Sequence, residues 1–178
     1  MSIIDHKKEA PNSVKVMVIT VSDTRNTVTD RSGQKIMELL RLAGHKVVQY
    51  QIVKDEQAEI QKALIDGCEN PNVDVILTNG GTGISARDVT IETTISMIDK
   101  EMPGYGELFR MLSYQEDIGA AAILSRAVAG VANGTAIFTM PANDVTVTAT
   151  YEDIPAPPVE KYTVTFDANG GSGSIDPI

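Results

Sequence analysis

The chain has 178 residues, 42% of them hydrophobic and 22% charged, which is enough for one globular domain with a sizeable core. Its 15 basic and 24 acidic residues give a net charge of −9, so nucleic acid and anionic membranes are poor candidate partners. The single cysteine, Cys68, excludes an internal disulfide framework, and no apolar run approaches the ~18 residues that span a bilayer. Residues 1–9 lack the apolar core of a signal peptide, so we expect a cytoplasmic protein.

Strand and helix signals alternate through the first half of the chain. Runs rich in β-branched residues predict three strands, at 14–21, 47–53 and 74–78. Apolar residues at helical spacing follow the first two strands, with Asp30 and Asp55 as candidate N-caps of the two helices. Strands separated by helix-length segments predict an α/β fold, in which a mostly parallel sheet is covered on both faces.

The alternation changes in the second half of the body. A helix is predicted through 91–98, and Pro103 is positioned to open another. Asn133-Gly134 then lies between two short apolar runs, 128–131 and 135–138. This dipeptide suits a type I′ turn, so the two runs are predicted to form a β-hairpin.

The composition of the chain changes after Met140. Residues 141–178 contain no Leu or Met but five of the eight prolines, and their charged residues are six acids and one base. Alternating β-type stretches occur at 145–151 and 162–166, separated by a Pro-rich spacer. We therefore predict a body of residues 1–140 and a separate Pro/Thr/Gly-rich tail, 141–178, that is β-rich or disordered.

The segment most informative about function is Asn-Gly-Gly-Thr-Gly at 79–83. It leaves the end of a predicted strand and leads into a helix, which is where open α/β sheets bind ligands. Its glycines allow close backbone approach to an anion, and successive N–H groups with a helix N-terminus favour phosphate. A tight structural turn with Thr82 and Asp88 as caps is an equally good interpretation of the pattern.

Other polar residues are predicted at the same edge of the sheet. Asp55 and Asp88 both follow predicted strands, and two carboxylates there could hold Mg²⁺ and neutralise a polyphosphate. Each aspartate alone could equally be a helix N-cap. Ser22 and Arg25 lie in the loop after the first strand, and Arg25 could bind a phosphate bidentately.

Four segments of residues 5–140 resemble the MoaB/MogA family of molybdenum cofactor biosynthesis proteins, and bacterial MoaB in particular. They are VITVSDTR at 18–25, TNGGTG with RDVTIE within 78–92, PGYGELFR at 103–110, and Ile118-Gly with LSRA at 124–127. The resemblance implies a three-layer αβα sandwich, the molybdopterin-binding fold. It also implies assembly as a homotrimer or homohexamer.

The same resemblance implies a reaction, the transfer of AMP from Mg-ATP to the terminal phosphate of molybdopterin. Asp55 and Asp88 match the catalytic carboxylates of the family, which are associated with Mg²⁺. The glycine-rich segment would hold phosphate, and other matched segments line the substrate cleft. The substrate-binding residues that we predict are Ser22, Arg25, Asn79, Gly80, Gly81, Thr82, Gly83, Glu107 and Ser125.

The tail departs from this family, whose members continue with a further ligand loop and a long C-terminal helix. Here 138–151 and 162–171 resemble incomplete fragments of InlB-type bacterial surface repeats, which indicates a fusion or a constructed sequence. An alternative function is therefore a non-catalytic protein that binds a pterin or a nucleotide. A surface-repeat module is a third interpretation, drawn from the tail alone.

Overall fold

A computed structural model of the chain describes residues 11–142, and it confirms the predicted alternation of strands and helices. The strands are β1 (Lys15–Val21), β2 (Lys46–Val53), β3 (Val75–Asn79), β4 (Lys100–Glu101), β5 (Val128–Ala132) and β6 (Thr135–Met140). The helices are α1 (Arg31–Leu42), α2 (Gln57–Glu69), α3 (Thr90–Met97) and α4 (Gly104–Glu116), followed by a 3₁₀ helix, Gly119–Leu124. The β-type stretches predicted at 145–151 and 162–166 lie outside the described residues.

The strands form one mixed sheet in the order β2-β1-β3-β6-β5-β4. The pairings β2–β1, β1–β3 and β3–β6 are parallel, whereas β6–β5 and β5–β4 are antiparallel. The predicted hairpin joins β5 to β6, and its turn residues Asn133 and Gly134 have φ angles of +48° and +79°. Both angles lie in the left-handed region that a type I′ turn requires. Within residues 11–142, no helix is long and apolar enough to cross a membrane.

The core forms around β1. This strand is buried almost completely on both faces, which explains why its sequence is a nearly continuous apolar run. Helix α2 packs on the sheet through the face that its sequence predicts, with Ile60 and Leu64 fully buried. Burying each such side chain contributes roughly 1.5–3 kcal/mol. Cys68, predicted to be a small core residue, is half-buried and packs against this cluster.

The two aspartates predicted as N-caps behave differently. Asp30 is the N-cap of α1, and its Oδ1 accepts a hydrogen bond from the Gly33 N–H at 3.0 Å. The prediction for Asp55 is wrong, because the N-cap of α2 is Glu56, which makes no side-chain capping bond. The Asp55 carboxylate instead accepts a hydrogen bond from the Val89 N–H, and so turns away from the helix that follows it.

Polar side chains pair across neighbouring strands close to the carboxyl edge of the sheet. Asn79 in β3 lies beside Thr20 in β1, and its Nδ2 donates to the Thr20 Oγ1 at 2.8 Å. Thr78 in β3 lies beside Thr139 in β6, with 2.9 Å between their hydroxyl oxygens. All four side chains are fully buried, so these hydrogen bonds satisfy groups that water cannot reach.

Candidate functional site

The candidate site begins where β3 ends, at the segment 79–83, which we call the glycine turn. Gly80 and Gly81 have φ angles of +98° and +62°, in the left-handed region that favours glycine. A Cβ placed on Gly80 would lie 2.3 Å from the backbone oxygen of Val21, so β1 leaves no room for a side chain. The Gly80 N–H donates to the Met140 oxygen at 3.1 Å, which fixes the start of the turn to the end of β6.

Beyond Gly80, the backbone N–H groups of the turn have no acceptor in the described part of the chain. From Gly81 to Ile84, four successive N–H groups donate to no acceptor within residues 11–142. The turn leads towards the N-terminus of α3, to which it is tied by a 3.0 Å bond from the Thr90 N–H to the Gly81 oxygen. Successive unpaired amides beside a helix N-terminus are the usual backbone site for phosphate.

The two predicted catalytic carboxylates both lie against this turn. A Cβ placed on Gly81 would lie 2.8 Å from both carboxylate oxygens of Asp55. A Cβ placed on Gly83 would lie 2.7 Å from the Asp88 Oδ2, which also accepts a hydrogen bond from the Ser85 N–H at 3.0 Å. Asp55 and Asp88 therefore lie at the edge of the sheet where their positions after strands predict them.

Asp55 is a largely buried carboxyl group that lies close to other acidic residues. Burial raises the pKa of its carboxyl, and the charges of Asp88 and Asp23 raise it further, whereas the hydrogen bond from the Val89 N–H and the charge of Arg87 lower it. Asp55 makes no ion pair in the described part of the chain, whereas Asp23 pairs with Arg87 at 3.0 Å, which lowers the pKa of Asp23. Burial and the neighbouring carboxylates thus disfavour the ionised form of Asp55, and a cation bound beside it would offset both effects.

The donors fit Mg²⁺ that arrives with a nucleotide better than a resident metal ion. Among residues 11–142, no group of three or more His, Cys, Asp or Glu residues could hold a metal ion. Mg²⁺ is commonly bound by one or two carboxylates, with substrate phosphates and water completing its shell. Asp55 and Asp88 supply two carboxylates beside the same turn, next to amides that have no acceptor within residues 11–142.

The fully buried carboxylate of Asp30 lies beneath the site and organises several predicted residues. Burial alone would raise the pKa of Asp30, but hydrogen bonds from Thr20, Tyr50, Gly33 and Ser32 outweigh it and lower the pKa. The Thr20 hydroxyl and the Tyr50 hydroxyl each donate to Asp30 Oδ2 at 2.6 Å. Burial of the phenol raises the pKa of Tyr50, and its hydrogen bond to this carboxylate raises it further.

Two predicted substrate-binding residues, Arg25 and Asn79, are joined to this buried network. The Arg25 Nη1 donates to the Ser32 Oγ at 2.5 Å and to the Asp30 Oδ1 at 3.5 Å. The Ser32 hydroxyl lies 2.9 Å from the Asn79 Oδ1, and the Asn79 side chain is fully buried. These contacts tie both side chains into the protein beneath the turn.

The remaining predicted residues lie around the turn at different depths. Ser22 is half-buried, and its Oγ accepts a hydrogen bond from the Arg25 N–H at 3.2 Å. Thr82 and Ser125 are buried, with 4% and 7% of their surfaces exposed. Glu107 is exposed in the first turn of α4 and makes no hydrogen bond or ion pair with the glycine turn in the part of the chain described.

Two residues that the sequence argument passed over also border the turn. The hydroxyl of fully buried Thr90 has no hydrogen-bond partner among the described residues, and a Cβ placed on Gly81 would lie 2.2 Å from it. The Arg126 guanidinium donates to backbone oxygens of the turn, including that of Thr82 at 3.0 Å. Arg126 lies in the LSRA segment, but nothing in its spacing indicated which residues it would contact.

A parallel sheet edge with a glycine turn is typical of α/β proteins that have a backbone site for an anion, and comparison with known proteins identifies the family. Residues 17–161 match the family described as a probable molybdopterin binding domain, so the chain belongs to that family. The match extends 21 residues beyond the predicted boundary at residue 140 (161 − 140).

Several relatives are named molybdenum cofactor biosynthesis protein B. Molybdenum cofactor biosynthesis protein B of Bacillus cereus is 55% identical over 141 residues, which cover 79% of this chain and 83% of the relative. A crystal structure of a molybdenum cofactor biosynthesis protein B matches with a TM-score of 0.73 and 53% identity, over 76% of this chain and 84% of that chain. The tungsten cofactor synthesizing protein MoaB of Pyrococcus furiosus matches with a TM-score of 0.66 and 39% identity, over 75% and 85%. These similarities confirm the predicted family and its α/β fold.

Proposed function

We propose that this protein acts in molybdenum cofactor biosynthesis by adenylylating molybdopterin. A terminal phosphate oxygen of molybdopterin attacks the α-phosphorus of ATP. The bond from that phosphorus to the oxygen bridging to the β-phosphorus breaks, and pyrophosphate leaves with the electron pair. Such a transfer requires little covalent chemistry of the protein, which contributes positioning and neutralisation of charge.

The observation that carries the proposal is the contact of two carboxylates with a turn that presents free amides. Mg-ATP requires both hydrogen-bond donors for its phosphates and oxygen ligands for its cation. Mg²⁺, when bound with the nucleotide, would neutralise the charge of the phosphates. Asp55 and Asp88 would hold that ion, and the N–H groups of Gly81 to Ile84 would orient phosphate oxygens for in-line attack.

The order of the site supports catalysis as well as binding. Asp55 is held by the Val89 N–H, and Asp88 is held by the Ser85 N–H, so both carboxylates are oriented before a ligand arrives. Preorganised groups of this kind need not reorganise as charge develops during the reaction. The fixed position of the turn between β1 and β6 serves the same purpose.

Adenylyl transfer can be tested directly by mass spectrometry of the pterin after incubation with Mg-ATP. Asp88→Asn removes one carboxylate charge at the turn, and Asp66→Asn makes the same change on the exposed surface of α2. We expect adenylylated pterin from the parent and from Asp66→Asn, and at least a ~100-fold lower yield from Asp88→Asn, the usual range for a lost catalytic group. A chain that binds molybdopterin without forming product would be the non-catalytic binding protein, and a chain that does neither would refute the proposal.

We also propose that the protein assembles as a homotrimer or homohexamer. Leu108, Met111 and Tyr114 recur every three residues along α4, and their side chains are 52%, 48% and 61% exposed. Ile123 and Leu124 of the 3₁₀ helix are 82% and 55% exposed. Exposed apolar residues on neighbouring elements favour association, which light scattering of the purified protein would measure. A monomer at micromolar concentration would contradict this part of the proposal.

A further inference from the structure

The side chain of Arg126 spans both ends of the loop that contains the candidate site. Its Nε donates to the backbone carbonyl oxygen of Thr82 at 3.0 Å. Its Nη2 donates to the backbone carbonyl oxygens of Gly83 at 2.5 Å and of Asp88 at 3.2 Å. Arg126 itself lies between the 3₁₀ helix and β5, more than 35 residues further along the chain (126 − 88 = 38). One guanidinium therefore fixes three carbonyl groups of a loop that is remote in sequence.

The orientation of those carbonyls determines where the loop amides point. In a planar trans peptide the N–H points opposite to the C=O of the same unit. Because the oxygens of Thr82 and Gly83 face Arg126, the N–H groups of Gly83 and Ile84 face away from it. These are two of the amides that have no acceptor in the described residues, so contacts with Arg126 fix the direction in which both amides point.

The peptide after Asp88 is held from both sides. Its oxygen accepts a hydrogen bond from Arg126, and its N–H, which belongs to Val89, donates to the Asp55 carboxylate at 3.4 Å. Arg126 and Asp55 thus fix the same peptide unit, and with it the backbone that carries the Asp88 carboxylate. The carbonyl contacts couple the orientation of the free amides to the position of both acidic residues.

The charge of Arg126 is balanced outside the loop. Its Nη1 forms an ion pair with Glu92 in the first turn of α3, and this hydrogen bond lowers the pKa of Glu92. The guanidinium is partly buried, with 30% of its side chain exposed. Because its donors are directed at protein oxygens, Arg126 has a different task from an arginine that binds substrate phosphate.

We propose that Arg126 is a positioning residue that orients the loop amides and the Asp88 backbone for a phosphate ligand. This proposal depends on the proposed function only for the identity of the phosphate ligand. A planar guanidinium can donate to several carbonyls at once, whereas a lysine ammonium would keep the charge but lose this fork geometry. Geometry and charge can therefore be separated by substitution.

The test uses the full chain with Arg126→Gln, Arg126→Lys and a matched control, Arg41→Gln, on the exposed last turn of α1. Hydrogen exchange of the segment 80–90, followed by mass spectrometry without ligand, measures the order of the loop. We expect exchange in this segment to be at least ~10-fold faster in Arg126→Gln, intermediate in Arg126→Lys and unchanged in Arg41→Gln. Unchanged exchange in Arg126→Gln, or equal loss of protection throughout the chain, would overturn the proposal.

Ligand binding provides the second readout. By calorimetry, we expect the Kd of molybdopterin to rise at least ~10-fold in Arg126→Gln, with partial recovery in Arg126→Lys. Parent-like affinity in a folded Arg126→Gln variant would also overturn the positioning role. If the parent does not bind molybdopterin, the proposed function fails, and the exchange experiment still decides whether Arg126 orders the loop.

Discussion

Replacement of Gly81 by alanine should disrupt the candidate site through two separable effects. Gly81 has a φ of +62°, and adoption of the left-handed conformation costs a residue with a Cβ about 1–2 kcal/mol. The new Cβ would also lie 2.2 Å from the Thr90 hydroxyl and 2.8 Å from the Asp55 carboxylate oxygens. Forcing an additional methyl group into a packed region costs about 1–3 kcal/mol.

Gly134→Ala isolates the first of these effects. Gly134 has a similar φ of +79°, but a Cβ placed on it would meet no atom within 4 Å. We expect this variant to lose about 1–2 kcal/mol of unfolding free energy, and Gly81→Ala about 2–5 kcal/mol. Domains of this kind are stable by about 5–15 kcal/mol, so Gly81→Ala should still fold in most of that range.

Urea unfolding followed by far-UV circular dichroism would measure both variants, since the chain contains no tryptophan for fluorescence. Protein concentration must be kept constant, because self-association would contribute to the apparent stability. Gly81→Ala should also weaken molybdopterin binding, whereas Gly134→Ala should not. Equal unfolding midpoints for the two variants would show that Asp55 and Thr90 do not confine Gly81 as the structure indicates.

Three further predictions concern buried polar groups. Because burial and neighbouring carboxylates raise the pKa of Asp55, its ionised form opposes folding above that pKa. Asp55→Asn should therefore be more stable than the parent at pH 7. This difference in unfolding free energy should shrink as the pH falls towards 3.8, the ordinary pKa of an aspartate carboxyl. A difference that does not change with pH in urea titrations would contradict this. Thr90→Val removes a buried hydroxyl that has no hydrogen-bond partner in the described residues, and it should raise the unfolding free energy by about 1 kcal/mol. A lower unfolding free energy in the same assay would show that the hydroxyl has a partner. Asp30→Ala leaves the hydroxyl donors of Thr20 and Tyr50 without an acceptor and should lower the unfolding free energy by about 3 kcal/mol. A thermal midpoint within a degree of the parent value would show that Asp30 does not stabilise the fold in this way.

The placement of Asp55 and Asp88 could be predicted from the sequence because it follows from topology. Each residue comes soon after a strand of the parallel part of the sheet, and such strands end at one common edge. The glycine turn was recognisable for a related reason, since positive φ angles and close backbone contact favour glycine. These features depend on local sequence and strand direction alone.

Features that depend on tertiary contacts could not be predicted in the same way. Asp55 has the sequence context of a helix N-cap, but its carboxylate accepts a hydrogen bond from the Val89 N–H instead of from the N–H groups of α2. No local sequence pattern indicates that contact. The carbonyls that surround Arg126 come from a loop far along the chain, and backbone oxygens have no sequence signature. Tyr50 likewise reaches Asp30 only because β2 lies next to β1 in the sheet.

The polar pairs between neighbouring strands have a consequence for how the chain avoids misfolding. A strand such as β1, which is buried on both faces, has little apolar–polar alternation to distinguish the correct alignment from a shifted one. A shift of β3 by one residue would separate Asn79 from Thr20 and Thr78 from Thr139, leaving polar groups buried without partners. It would also displace the glycine turn by about 3.3 Å, the rise per residue of a strand. The same side chains that select one strand alignment therefore set the position of the glycine turn.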